Sequence, residues 1–264
     1  MNALTAAARP APRAARGLQD LRIFLLEARC EFLRLLRAPS FSVPTIAFPL
    51  MFYALFGVLL APAQAHPERA RHALAAFLVI GTMAPGLFAL GITLAVDRER
   101  GFLELKRALP MPAGLYLAAK VSMSMLFAAL VAVLIMGVGA LGGGVTLAPS
   151  RWLALLALAV LGVLPFCAIG LMVGALARAS AAPALLNLIY LPMSFLSGLW
   201  VPLQLLPHAL AQLAPLWPAW HLAQLAFGVA DGAAPARAGT HLAVLAAVAA
   251  VCFGVALRRL ARAR

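Results

Sequence analysis

Residues 97–120 read DRERGFLELKRALPMPAGLYLAAK, a charged segment between two long apolar runs. The segment holds three of the chain's eight acidic residues and its only two lysines, Lys106 and Lys120. The apolar run before it, residues 73–96, contains no Asp, Glu, Lys or Arg. Charge of this density belongs in water, because burying unpaired charges is very unfavourable. The alternation therefore predicts membrane-spanning helices joined by a polar loop.

The composition of the whole chain supports this interpretation. Of 264 residues, 64% are hydrophobic and 11% are charged, and the mean hydropathy is +0.99. Soluble domains average about 45–50% apolar and about 25% charged residues. We therefore predict an all-α integral membrane protein. The net charge of +13 sits in short segments beside apolar runs, so we expect no nucleic acid partner. The three cysteines are far apart and form no metal-binding pattern, so no metal site is expected.

Six segments approach the roughly 20 apolar residues that a spanning helix needs. They are Ser42–Leu60, Ala73–Val96, Leu117–Leu141, Trp152–Leu176, Ala184–Val201 and His241–Leu257. With a cytoplasmic N-terminus, 17 of the Lys and Arg residues lie on the cytoplasmic side and 4 on the other. Because cytoplasmic loops are enriched in Lys and Arg, both termini are predicted to be cytoplasmic.

An amphipathic helix is predicted before the first span, at Leu18–Ala38. Apolar residues recur there at intervals of three and four, whereas Asp20, Glu27, Glu31 and Arg34 lie on another face. We interpret it as an interfacial helix on the cytoplasmic leaflet, with a docking surface for a cytoplasmic partner as the alternative. Residues 1–17, rich in Ala, Arg and Pro, are predicted to be a disordered basic tail.

The segment between the last two spans, residues 202–239, is apolar but interrupted by prolines. Prolines exclude one continuous helix. We predict short re-entrant helices that dip into the outer leaflet, anchored there by Trp217 and Trp220.

Several kinds of chemistry are not expected. No acidic residue falls within a predicted span, so proton coupling through a buried carboxylate is not expected. Lys120 lies near a span end, where its stem can reach the interface. The five histidines are scattered on or near the outer side and are expected to be loop residues. Neither lysine follows a glycine, so the chain has no P-loop, and energy for uphill movement must come from another chain.

The charged segment is predicted to form a short cytoplasmic helix, ended by Pro110 and Pro112. Acidic residues near its start and basic residues near its end suit the helix dipole. Phe102, Leu103, Leu105 and Leu109 give it more apolar surface than a solvated loop needs. Docking to a protein partner and lying on lipid head groups remain alternatives.

The residues of this segment resemble a known family. Arg98-Glu99-Arg100-Gly101, Leu103-Glu104, Arg107-Ala108 and Pro110 are similar to the loop E-R-E-x-G-T-L-E-x-L-x-x-T-P of type-2 ATP-binding-cassette (ABC) exporter permeases. The stretch from Asn187 to Gly198, continuing to Pro202, resembles the family segment N-x-x-x-x-P-x-x-F-x-S-G-x-x-x-P. Phe102 and Leu109 depart from the pattern, since each replaces a threonine.

The resemblance implies a transmembrane permease subunit of an ABC exporter in a bacterial inner membrane, with residues 18–264 as a single domain. Its partners would be membrane lipid, a second permease copy or paralogue, and ABC ATPase subunits that bind ATP and Mg. The chain itself would be neither an enzyme nor a cofactor-binding protein, and drug efflux is one of the family's activities. The residues implied in coupling to the ATPase are Arg98, Glu99, Arg100, Gly101, Phe102, Leu103 and Glu104.

The fifth predicted span carries a candidate substrate pathway. Asn187, Tyr190, Ser194 and Ser197 recur at helical spacing and share a face. Such residues line a cavity or join helices, and both interpretations stay open here. Gly170 and Gly174 in the fourth span predict close helix packing.

Two other functional classes remain as alternatives. One is an intramembrane lipid-modifying enzyme, and the other is a non-transporting membrane sensor or scaffold. An apolar pathway with a few hydroxyl and amide groups favours an amphiphilic or hydrophobic substrate.

Overall fold

The computed structural model describes residues 13–60, 63, 65–102, 105, 113–233 and 237–262. Every regular element within these residues is helical, as predicted. In chain order the helices are α1 (Arg13–Leu36), α2 (Pro39–Tyr53), α3 (Pro67–Ala84), α4 (Leu90–Glu99), α5 (Ala113–Leu141), α6 (Pro149–Leu176), α7 (Ala182–Leu196), α8 (His208–Ala211), α9 (Pro218–Asp231) and α10 (Ala238–Arg262). The 3₁₀ turns Leu203–Leu205 and Ala214–Leu216 flank α8.

Two π-helical segments lengthen these helices. Ala54–Leu59 extends α2, and Pro85–Ala89 joins α3 to α4, so that Pro67–Glu99 is one helix of 33 residues. Pro85 begins the second π segment, where its missing N–H disturbs the regular α-helical bonding. The Ser124 hydroxyl of α5 donates a hydrogen bond of 3.2 Å to the Pro85 carbonyl oxygen. The widened turn is therefore held against α5.

Within the described residues, five helices are long and apolar enough to cross a membrane. They are Pro39–Leu59, Pro67–Glu99, Gly114–Leu141, Pro149–Leu176 and Ala238–Arg262. Each overlaps one of the six predicted spans.

The remaining predicted span, Ala184–Val201, is shorter in the structure. It corresponds to α7, which has 15 residues and ends at Leu196. At 1.5 Å per residue α7 is about 22 Å long, less than the roughly 30 Å of a bilayer's hydrocarbon core. Gly198 has a φ of 76°, so the backbone turns directly after α7. The predicted boundary at Val201 is therefore wrong.

The helix Pro67–Glu99 and α6 form the centre of the bundle. Of the most apolar 18-residue stretch of each helix, 83% is buried in Pro67–Glu99 and 61% in α6, against 22% in α10. α6 contacts α3, α4, α5, α9 and α10. The outer helices thus present faces to lipid or to a partner.

Glycines bring the two central helices into backbone contact. A Cβ atom at Gly170 would lie 2.6 Å from the carbonyl oxygen of Leu87, and one at Gly174 would lie 2.5 Å from that of Gly91. Close-packed interiors have no room for such an atom. The predicted packing role of Gly170 and Gly174 is confirmed.

α1 packs along α5 through part of its apolar face. Ala28 and Leu35 are buried, and the Phe32 ring centre lies 4.9 Å from that of Phe127 in α5. Leu21 and Leu25, predicted on the same face, are more than half exposed. The amphipathic pattern of α1 therefore serves a protein contact at its C-terminal half and leaves apolar surface uncovered at its N-terminal half.

The start of α1 lies earlier than the sequence indicates. The helix begins at Arg13, before the predicted Leu18. The first twelve residues of the predicted tail lie outside the described residues.

Prolines divide the segment after α7, as predicted. Pro207 directly precedes α8, and Pro218 is the first residue of α9, where a missing N–H is tolerated. α9 has 14 residues and packs against α3 and α6. It ends at Gly232, which adopts a left-handed φ of 74°.

Two histidines that were expected to be loop residues are buried in helices. His221 of α9 and His241 of α10 have their Nδ1 atoms 2.9 Å apart, and His221 Nε2 lies 2.9 Å from the Pro215 carbonyl oxygen. The two rings meet because α9 packs on α10, and spacing along the chain does not reveal that contact.

Candidate functional site

The charged segment begins inside a helix and leaves it at a glycine. The helix α4 continues to Glu99, and the N–H of Arg100 still donates to the carbonyl oxygen of Val96 at 3.0 Å. Gly101 then adopts a φ of 70°, a conformation that glycine reaches without strain. Residues 97–99 therefore belong to the helix, and the backbone turns away from its axis at Gly101.

Asp97, the first residue of the segment, is buried rather than solvated. Its carboxylate accepts a hydrogen bond of 2.5 Å from the Tyr116 hydroxyl and pairs with Lys120 Nζ at 2.9 Å. The Arg34 guanidinium of α1 lies 3.8 Å from the same carboxylate. The prediction that no acidic residue lies within a span is therefore wrong for Asp97. This residue lies in the last turn of the helix Pro67–Glu99.

Lys120 is fully buried. The prediction that its side chain extends to the membrane interface is wrong. Its Nζ lies 3.2 Å from Glu31 Oε1 and 3.1 Å from Thr93 Oγ1, in addition to Asp97. Three acceptors surround an ammonium that has three protons to donate. The ionic cluster, defined as Glu31, Arg34, Asp97 and Lys120, contains two formal positive and two formal negative charges.

Glu31 also differs from its prediction. Helical periodicity placed it on the polar face of α1, yet it is 5% exposed and its carboxylate lies 2.7 Å from the Arg34 guanidinium. Its position follows from the packing of α1 on α5, which brings Lys120 to it from 89 residues away.

The next two residues join the charged segment to the end of α6. The Arg98 guanidinium donates to the carbonyl oxygens of Ala175 and, at 2.5 Å, Ala177. The last carbonyls of a helix have no partner within it, and a cation there also suits the helix dipole. The Glu99 carboxylate accepts a hydrogen bond of 2.7 Å from the N–H of Ala179.

Residues 97–99 therefore point in three directions, each to a different part of the bundle. Asp97 binds α5 and approaches α1, Arg98 caps α6, and Glu99 holds the turn that follows α6. The segments 97–102 and 177–181, both predicted to lie on the cytoplasmic side, are thereby joined into one surface.

Exposed side chains begin at Glu99, the last residue of this anchor, and continue after it. Arg100 is exposed, Phe102 is 42% exposed and Leu105 is 61% exposed. Leu103 and Glu104, two of the predicted coupling residues, lie outside the described residues. Of the seven residues, Arg98 and the exposed Glu99 contact the end of α6 and the turn after it, Gly101 forms a turn, and Arg100 and Phe102 are exposed.

The candidate pathway residues on and after α7 divide as well. Tyr190 is buried with its ring 5.4 Å from that of Phe88, and the Ser194 hydroxyl donates to the Leu191 carbonyl oxygen at 2.9 Å. Ser197 is also buried, whereas Asn187 is exposed and donates to the Pro183 carbonyl oxygen at 3.1 Å. Within one chain, the three buried residues have the environment expected of helix packing.

Comparison with known proteins agrees with the resemblance in the sequence. The family model described as "ABC-2 type transporter" matches residues 24–228, which include the ionic cluster, the charged segment and α7. The chain belongs to the ABC-2 type transporter family. It is also 26% identical over 208 residues to the Bacillus subtilis (strain 168) protein named "Putative transport permease YvfS", covering 78% of this chain and 84% of that protein.

Membership of the ABC-2 family makes this chain a multi-pass membrane transport permease. The family in general implies an ABC ATPase as partner. The family is one of transport proteins, consistent with the expectation that the chain is not itself an enzyme.

The ionic cluster is the part of this site that the sequence prediction missed. One signal was present, because Lys120 lies between Ala119 and Val121 with an apolar run following it. A charged residue in such surroundings indicates a buried partner. Which residues supply that partner depends on how α1, α4 and α5 pack.

Proposed function

We propose that this chain is the membrane-spanning subunit of an ABC exporter, and that the segment after Gly101 docks in an ABC ATPase. The ATPase, and not this chain, would bind ATP and Mg. Hydrolysis there would drive substrate from the cytoplasm or inner leaflet outward. Drug-like amphiphiles are the substrate class that we favour.

The observation that carries this proposal is the contrast between residues 97–99 and the residues that follow. Three consecutive side chains fix the base of the segment, while Phe102 and Leu105 remain exposed. Apolar side chains on a fixed support suit docking, because little conformational freedom is lost on binding. A push on these residues would reach α5 and α6 through Asp97 and Arg98.

A second permease copy is part of the proposal. Asn187 is exposed on α7 within an apolar helix, and an amide facing lipid is unfavourable. A homodimer that covers this face of α7 would remove the amide from lipid. We propose that Asn187 then borders the substrate pathway, and that Tyr190, Ser194 and Ser197 hold α7 in place beside it.

The proposed location is a bacterial inner membrane with both termini in the cytoplasm. This orientation puts the anchor at residues 97–99 and the turn at 177–181 in reach of an ATPase. It also puts the short helices between α7 and α9 in the outer leaflet, in contact with membrane lipid.

The test is co-purification of an ABC ATPase with the tagged chain from its native membranes, followed by ATP hydrolysis in nanodiscs. Replacing Phe102 and Leu105 by serine together should release the ATPase. The matched control replaces Leu205 and Leu216, which are 74% and 75% exposed in the segment predicted to lie outside, by serine.

The control variant should retain the ATPase at the wild-type ratio. Retention of the ATPase by the Phe102→Ser/Leu105→Ser variant would refute docking at this segment. Absence of any ABC ATPase from the wild-type preparation would refute the proposed function as a whole.

A further inference from the structure

The ionic cluster joins three helices, of which α1 is separated from α4 and α5 by the helices α2 and α3. Glu31 and Arg34 come from α1, Asp97 from α4 and Lys120 from α5. Lys120 is the only one of the four that lies within 3.2 Å of both Glu31 and Asp97. Removing it would leave α1 and α4 linked within the cluster through the half-exposed Arg34 guanidinium, 3.8 Å from Asp97.

Stability alone does not account for such a cluster. Removing charges from water is unfavourable, and replacing a buried ion pair by apolar residues of similar volume is often neutral or stabilising. The surroundings already provide apolar packing, since Phe127 contacts Phe32 and Phe41 and clusters with Leu35. Apolar contacts without directional bonds tolerate sliding between helices, whereas an ammonium with three fixed acceptors does not.

The cluster is also placed where movement would have to be transmitted. Asp97 directly precedes Arg98 and Glu99, which hold the end of α6 and the turn after it. α1 is joined to α2 through Arg37 and Ala38 alone, so its displacement would reach the first predicted span at once.

We infer that Lys120 is a positioning residue that makes α1, the base of the charged segment and α5 move as one unit when the ATPase acts. This inference rests on the proposed ATPase coupling. It goes beyond that coupling because it gives the ionic cluster the role of transmitting movement to α1. Docking at Phe102 and Leu105 does not by itself require that α1 moves.

The test measures distances between spin labels in the ATPase complex, before and after trapping with ATP and vanadate. Labels replace Arg29, exposed on α1, and Ala118, exposed on α5. The native cysteines Cys30, Cys167 and Cys252 are replaced by serine or alanine. A second pair, at Ala118 and Leu205, reports whether ATP moves α5 relative to the predicted outer segment.

In the wild-type cluster, ATP and vanadate should change the 118–205 distance and leave the 29–118 distance unchanged. In the variant Glu31→Gln/Lys120→Met, Asp97 keeps Arg34 and Tyr116 as partners and no net charge is added. The 29–118 distance of that variant should shift on trapping by up to about one helical turn, ~5 Å, or split into two populations. Arg22→Gln, which removes an exposed charge from α1, is the matched control and should behave as wild type.

The outcomes separate the two proposals. No ATPase binding, or no 118–205 change in wild type, contradicts the proposed function. A 118–205 change together with an ATP-dependent 29–118 change in wild type overturns the inference about Lys120. An unchanged 29–118 distance in the folded double variant overturns it as well. The test uses the double variant, so its outcome does not depend on whether the single variant Lys120→Met folds.

Discussion

Replacing Gly170 by alanine should weaken the packing of the two central helices. The added Cβ would lie 2.6 Å from the Leu87 carbonyl oxygen and 2.7 Å from that of Gly86. Ordinary contact begins at 3.4 Å, so the helices would have to separate by about 0.8 Å. Both obstructing atoms belong to the backbone, and no side-chain rotation relieves them.

Overpacking of this kind costs about 1–3 kcal/mol. Alanine in a helix is intrinsically favoured over glycine by about 1 kcal/mol, so the comparison needs a second glycine substitution. Gly254→Ala in α10 supplies it, because a Cβ there meets nothing within 4 Å. The difference between the two variants isolates the steric contact.

The measurement is thermal unfolding of both variants in the same detergent. At roughly 2–4 °C per kcal/mol for a chain of this size, Gly170→Ala should unfold about 2–12 °C below Gly254→Ala. Equal unfolding temperatures would refute the backbone contact between α6 and the Pro85–Ala89 segment.

Three further predictions concern the site. Arg98→Met should speed hydrogen exchange at residues 177–181, because each lost bond to a charged donor is worth about 1.5–3 kcal/mol. Arg100→Met, which removes an exposed charge, should leave that exchange unchanged, and equal exchange rates in the two variants would contradict the capping role of Arg98. Lys120→Met should lower the unfolding free energy by about 3–5 kcal/mol and Glu31→Gln/Lys120→Met by less, since only the first leaves an uncompensated charge; the reverse order would refute the ion pairing. With the native cysteines removed, Asn187→Cys should form disulfide-linked dimers in membranes and Leu161→Cys on α6 should not, and crosslinking at Leu161 alone would place the dimer contact elsewhere.

The spans were predictable because partition between water and lipid depends mainly on local composition. The charged residues at 97–107 mark the end of one apolar run, and the helix Pro67–Glu99 ends within that segment. The packing role of Gly170 and Gly174 was also predictable from local sequence, since their spacing places two residues of small volume on one helix face.

The partners within the ionic cluster were not predictable in this way. Periodicity in α1 describes which residues share a face, but it cannot tell whether that face meets water or Lys120. Similarly, the apolar composition after α7 continues to Val201, whereas the helix ends where Gly198 takes a positive φ. Hydropathy contains no information about backbone dihedral angles.

The ionic cluster also sets an order for biogenesis. Glu31 is synthesised long before Lys120, which emerges 89 residues later at the start of the third spanning helix. Until then the cationic partner that the cluster offers Glu31 is Arg34 on the same helix. A chain that stops or threads wrongly before residue 120 leaves Glu31 and Asp97 without Lys120. The cluster can therefore close only after the first two spanning helices and the start of the third have been synthesised.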